Sequence, residues 1–321
     1  MTIERTTLEP GLDVLVYSYD FTSGGGIGGA AWTLVTSGLL AFGQREVVLT
    51  ILRTAAAPRR FPEGIKEYVR ALKHFAVQGK PVGDGEVSGY RAPGPFQLGS
   101  FVGVGFFDAP PVAGVDVPER ALAGIFLTEG ELSMAMGCSV RRVFNALGRA
   151  ARYFPVPYWS DPARPSAYDS EDAARSLLAK FPRAPVPNAS ATLVGDAMYL
   201  SLPSPFAPVL ATRIERREAS AILPGRAPGV AAALAWRPGQ LEPEAIFDHA
   251  SEPSAIAATF VGLVPNDAAQ DEIRFMEDGY VVMLSARSAD DVAVALRSGT
   301  PVTLNSGTDA RALIVSTTPA H

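Results

Sequence analysis

The sequence is poor in the residues from which most metal and nucleophile centres are built. It holds one cysteine, Cys138, and three histidines, His74, His249 and His321. A single cysteine excludes an internal disulfide framework and any multi-cysteine zinc site. Three scattered histidines leave little for a histidine-rich metal centre. Charged residues are also few, 19% of the chain, with a formal net charge of -5. That acidic balance argues against a nucleic-acid binder, which concentrates basic charge. No apolar run reaches about 18 residues, so no membrane span is expected. The first ten residues carry charges and no apolar core, so no secretory signal is expected, and a cytoplasmic location follows. Walker A, G-x-S-x-G, H-E-x-x-H and EF-hand patterns are all missing, which weighs against the common ATPases and hydrolases.

What the chain does have is a core. Hydrophobic residues make up 47% of its 321 positions, which excludes disorder. Glycine (30) and proline (27) are abundant and punctuate the apolar runs, predicting many short elements joined by tight turns. Residues 12–19, 32–36 and 46–52 read as strands of an antiparallel meander. Residues 63–77 read as a helix, with Ile65, Tyr68, Val69, Leu72 and Phe75 on one stripe. Residues 79–120 are rich in glycine and proline and hold one apolar run, 101–107; strands are expected at 122–128 and 131–136. A helix follows with Ser139 as N-cap, Val140, Val143, Phe144, Leu147 and Ala151 facing the core, and Arg141, Arg142, Arg149 and Arg152 on the surface.

A short helix at 170–181 precedes Pro182, Pro185 and Pro187, which read as a linker. The pattern then restarts, with strands in 192–202, a helix at 206–217, a strand at 230–236 and a short acidic helix at 241–249. Strands at 255–264, 273–276 and 280–286 follow, with Asp278-Gly279 as a hairpin turn. A helix capped by Ser288 runs to Arg297, and strands at 302–304 and 312–316 close the chain. The expected fold class is α+β: two subdomains of mixed, largely antiparallel sheet with packed helices, divided into domains 1–184 and 185–321.

Few groups could carry chemistry. Gly24-Gly25-Gly26-Ile27-Gly28-Gly29 satisfies G-x-G-x-x-G, but a dinucleotide site needs a helix to open at the last glycine, and Ala30 to Thr36 reads as strand. A hairpin loop that binds no nucleotide is expected. Cys138 precedes a helix but has no evident base, and reads as a structural thiol. His249 has Asp248 and Glu244 nearby and reads as part of a solvated helix end. Asp108, Asp116, Glu119, Glu129 and Glu131 show no metal or glycosidase spacing. Arg141, Arg142, Arg149 and Arg152 fall within about a third of the helix circumference, at roughly 100° per residue, and are the candidate surface for an acidic partner.

Several blocks, taken in order, resemble a known family. They are Trp32-Thr33-Leu34-Val35-Thr36-Ser37-Gly38-Leu39, Phe42-Gly43-Gln44-Arg45-Glu46-Val47-Val48, the helix at 65–77, and Ala151-Arg152-Tyr153-Phe154-Pro155-Val156-Pro157. Met198-Tyr199-Leu200-Ser201-Leu202-Pro203-Ser204, Met276-Glu277-Asp278-Gly279-Tyr280-Val281-Val282 and Ala293-Val294-Ala295-Leu296-Arg297 complete the set. Together they are similar to the C-terminal domain of the FYVE-finger scaffold proteins, Smad anchor for receptor activation and endofin. The Trp32 to Glu46 block is more faintly similar to suppressor-of-fused-like domains, which bind protein partners. The chain departs from the scaffolds in having no FYVE finger. The resemblance implies a non-enzymatic protein-interaction module, a stand-alone bacterial relative with no catalytic, cofactor or metal residues to carry over. A small-molecule-binding protein or enzyme using the glycine loop is the alternative, and an immunity-type partner protein is a third reading.

Overall fold

The computed structural model describes residues 1–22, 28–90, 96–154, 156–225, 230–247, 254–266 and 269–319. The chain forms two compact units. The first comprises Met1–Met136 and Val156–Glu171, the second Gly137–Pro155 and Asp172–His321.

In the first unit, apolar-rich runs form Leu12–Thr22 (β2), Gly28–Ser37 (β3) and Val47–Leu52 (β4), which pair as the antiparallel meander expected of them. Thr2–Glu9 (β1), a polar segment outside the expected strands, pairs antiparallel with β2. Val87–Gly89 (β5), Phe101–Asp108 (β6), Leu122–Thr128 (β7) and Trp159–Ser160 (β8) complete an eight-stranded sheet, ordered β1-β2-β3-β4-β7-β6-β5 with β8 beside β4. The β4–β7 and β4–β8 pairs are parallel.

The helix Glu63–Val77 (α1) covers one sheet face, packing Ile65, Tyr68, Val69 and Leu72 on Val14, Leu34 and Leu49. Phe75 is not part of that stripe: it is 42% exposed and Ala76 is buried instead. At 100° per residue, Phe75 stands about 80° from Ile65 around the axis and Ala76 only about 20°. Tyr17, Val35, Val48 and Ala121 pack on the opposite face.

Residues 131–136 are helix rather than strand. Glu129–Gly137 (α2) opens with a capping box, in which the Thr128 N–H donates to Glu131 Oε2 (3.0 Å) and the Glu131 N–H to Thr128 Oγ1 (3.5 Å). Leu132, Met134 and Met136 alternate as in a strand, but the cap decides.

The second unit contains Val140–Ala151 (α3), Asp172–Arg175 (α4), Ala207–Glu215 (α5) and Ala286–Ser298 (α6). Its strands are Arg183–Val186 (β9), Ser190–Val194 (β10), Ala197–Pro203 (β11), Ser220–Pro224 (β12), Ala232–Ala235 (β13) and Glu244–Phe247 (β14). Ile256–Ala257 (β15), Val261–Pro265 (β16), Glu272–Met276 (β17), Gly279–Leu284 (β18), Val302–Asn305 (β19) and Ala312–Thr318 (β20) follow. One sheet runs β14-β13-β15-β10-β11-β20-β19 and the other β17-β18-β16-β12-β9. Met198, Leu200, Leu210, Ile214, Ile222, Val282, Val292 and Leu313 share one core.

The fold is α+β, as expected, but the division at 184/185 falls inside β9. That strand pairs with β12, Ala184 opposite Ile222. Pro185 is tolerated because β9 is an edge strand, where a missing N–H costs no ladder bond. Within 170–181 only α4 and a 3-10 turn at Leu178–Lys180 are helical. Of the stretch expected as an acidic helix at 241–249, Glu244–Phe247 forms β14 instead, held by pairing with β13, and residues 248 and 249 lie outside the described residues. The cap of α6 is Ser285, whose side chain accepts the Ser288 N–H, three residues before the expected start. No helix among the described residues is long and apolar enough to cross a membrane.

Candidate partner-binding groove

The four arginines expected on one surface do not share one. Arg142 is 1% exposed. Its Nε donates to both oxygens of Asp278 (3.0 and 3.1 Å), and its Nη1 donates to Ser176 Oγ (2.6 Å). A second ion pair joins it to Glu277 at 2.8 Å, and the rings of Trp236 and Phe260 lie 5.2 and 5.8 Å from the guanidinium. Burial alone would depress its pKa. The Asp278 and Glu277 carboxylates outweigh that and raise it, so the cation is fixed. Arg142 ties α3 to the β17–β18 hairpin and is not available to a partner.

Arg149 pairs with Glu244 of β14, and its hydrogen bond holds the Glu244 carboxyl below the usual range. Arg152 is exposed and ends α3 in the left-handed conformation (φ 51°), while Arg141 is half-buried.

The other sequence candidates are placed as follows. Cys138 is buried, with its thiol pushed up chiefly by that burial and its sulfur 3.7 Å from the Ala173 carbonyl oxygen. Such a thiol stays protonated and unreactive. His74 is exposed and shares a hydrogen bond with Gln78 (2.8 Å). His249 and His321 lie outside the described residues, as do residues 23–27 of the glycine loop. β3 starts at Gly28, so the chain leaves that loop as strand.

A different site emerges in the first unit. Where α1 begins, it leaves one end of the sheet face uncovered, and a groove of about 590 Å³ opens there. Its floor is Val16, Ser18 and Trp32, on the adjacent strands β2 and β3. Thr2, Ile3 and Glu4 of β1 form one rim. Residues Arg53, Arg59, Arg60 and Phe61 of the β4–α1 connection, with Glu63 and Lys66 of the first helical turns, form the other.

Phe61 meets Trp32 edge-on at 6.0 Å. The Arg53 guanidinium lies 4.7 Å over the Trp32 ring and its Nη1 donates to Ser18 Oγ (3.1 Å). Lys66 pairs with Glu63 at 3.0 Å. Arg59 and Arg60 are exposed and make no hydrogen bond or ion pair among the described residues. Pro58 and Pro62 bracket them and fix the backbone on either side. The lining thus sets four cations against two carboxylates on a chain whose net charge is -5.

Sequence reasoning missed this site because separate segments build it. The local signal is Pro58-Arg59-Arg60-Phe61-Pro62, two arginines and an aromatic held between prolines.

No family model matches the chain. No curated protein matches it either. Among solved structures, the crystal structure of Drosophila Suppressor of Fused is similar with a TM-score of 0.38 and 11% identity, over 95% of this chain and 89% of that one. The likeness is faint and says nothing of ligand or partner. The resemblance to the FYVE-finger scaffold domain gains no support from these comparisons.

Proposed function

We propose that this protein is a non-enzymatic protein-interaction module and that the groove at the start of α1 is its docking site. The observation that carries the reading is the pair Arg59 and Arg60. Arg142, Arg149 and Arg164 each have a carboxylate within the fold, whereas Arg59 and Arg60 stand exposed beside an aromatic pair with no mate among the described residues. Arginine is one of the residues enriched in interface hot spots, and aromatic side chains are enriched at interfaces as a class. The lining contains neither cysteine nor histidine. The most elaborate polar clusters, around Arg142 and around Glu131 with Arg164, are buried and tie elements together.

A second reading is favoured by size. A groove of 590 Å³ also falls in the range of small-molecule pockets. The two are separated by placing a photo-crosslinking amino acid at Phe61 in the full chain and irradiating it in lysate of its own cells. A protein adduct of discrete mass, not formed from the same label at exposed Phe75, is the expected result. A co-purifying small molecule in native mass spectra, with no protein adduct, would replace the docking reading with the small-molecule one.

A further inference from the structure

We infer that the occupant of this groove is a short acidic segment of a partner protein, with carboxylates spaced by apolar side chains. The inference rests on the docking reading above and adds the chemistry of the partner.

The cations call for carboxylates. Arg59 and Arg60 are solvated and carry no internal charge partner among the described residues, so each can offer its planar fork to an incoming carboxylate. Pro58 and Pro62 restrict the loop that carries them, which lowers the cost of ordering it on binding. Arg53 is already aligned by Trp32 and Ser18 at the groove floor and adds a third positive group.

Phe61 calls for an apolar side chain. Val16 and Trp32 of the floor are almost fully buried already, so the apolar surface still open to solvent is that of Phe61, half-buried against Trp32. That remaining surface gains from covering by an aliphatic group and nothing from a phosphate.

The carboxylates in the lining limit the length of the anion. Glu4 and Glu63 stand among the cations, and the chain as a whole is negative. A continuous polyphosphate backbone meets Glu4 and Glu63 within the lining itself, whereas a segment with two or three carboxylates matches the cations at hand. The groove is also far larger than a single phosphate fills.

Fluorescence anisotropy with the full chain tests the inference. The probe is a short labelled peptide of alternating Glu and Leu, set against its Gln/Leu counterpart, inorganic phosphate and a short single-stranded DNA. The Glu/Leu peptide is expected to bind about tenfold or more tightly than the Gln/Leu peptide, and to weaken as salt rises. Arg59→Glu with Arg60→Glu should lower its affinity at least about tenfold with an unchanged circular dichroism spectrum, because both side chains are exposed. Arg59→Lys with Arg60→Lys should restore part of the loss, and Arg287→Glu, at a side chain 93% exposed in the second unit, should change nothing.

Equal binding of the two peptides, tighter binding of the DNA, or displacement of the peptide by phosphate that itself binds would each overturn the inference. So would no binding by any probe. If the peptides fail while the Phe61 label still captures a discrete protein, the acidic-segment inference falls and the docking reading stands; if both fail, both fall.

Discussion

Arg142 and Arg149 stand on the same helix and each faces a carboxylate, yet their surroundings make them opposites. Asp278 is fully buried, so removing its partner strands an anion in a low-dielectric interior. Arg142→Ala should cost about 3–5 kcal/mol in a urea titration. Arg142→Lys should recover only part of this, since an ammonium cannot fork onto Asp278 and Ser176 together. Glu244 is half-exposed and returns to water, so Arg149→Ala should cost less than about 1 kcal/mol. The contrast was not legible in the sequence. The apolar stripe of α3 implies burial on one side, but Val140, Arg142, Val143, Phe144, Ala146, Leu147 and Gly148 are all buried, which spans most of the circumference. The mate of Arg142 lies 136 residues away, and nothing local marks it. Arg59 and Arg60 of the groove did carry a local signal, their place between Pro58 and Pro62, but a helical wheel cannot rank residues on a loop.

Elements with clean periodicity were readable, and those decided by a terminus or a distant partner were not. The meander of β2, β3 and β4 and the span of α1 follow from their apolar patterns. α2 carried a legible Thr128-x-x-Glu131 signature that its alternating apolar residues masked. β14 is strand only because β13 lies beside it. The β17–β18 hairpin shows the same difference in detail. Its turn residues are Glu277, at φ 57°, and Asp278, while Gly279 already pairs with Met276. Gly279 is required by proximity rather than by backbone angle: a Cβ there would overlap the ring and the carbonyl oxygen of Phe260. Gly279→Ala should therefore cost about 1–3 kcal/mol, read as a lowered midpoint in thermal unfolding. An unchanged midpoint would show that Phe260 can move aside.

At the scale of the whole molecule, the path of the chain matters more than its length. Residues up to Met136 build the first unit, the chain then supplies Gly137–Pro155 to the second, and it returns with Val156–Glu171 before finishing the second. No single cut separates two complete units, and the proline-rich stretch near 185 is not a seam. A fragment of residues 1–184 would keep α3 but lose Glu277 and Asp278. Trypsin should cleave that fragment at Arg142 and leave the same bond intact in the full chain, as peptide mapping after brief digestion would show. Equal protection in the two would mean that α3 is held without its carboxylate partners.

The strand β1 ends its sheet, and the hydrogen-bond phase of the meander says what that end exposes. The Arg53 N–H donates to the Ala30 carbonyl oxygen (2.7 Å), so Ala30 turns its polar groups to β4 and Ala31 turns its own to β2. Carrying this alternation through the Ala31–Tyr19 and Ser18–Thr2 partners leaves the N–H and C=O groups of Ile3, Arg5 and Thr7 pointing away from the sheet. Such a margin is a template on which a second chain can crystallise strand upon strand. Glu4 and Arg5, in the middle of the exposed stretch, are the charges that discourage this. Glu4→Val with Arg5→Val should convert a stable solution into one that gains thioflavin T fluorescence with time and concentration, and an unaltered solution would show that the margin is guarded elsewhere. On this view the two charges contribute nothing to the core; they guard the margin of the sheet, and Glu4 does so while also lining the groove.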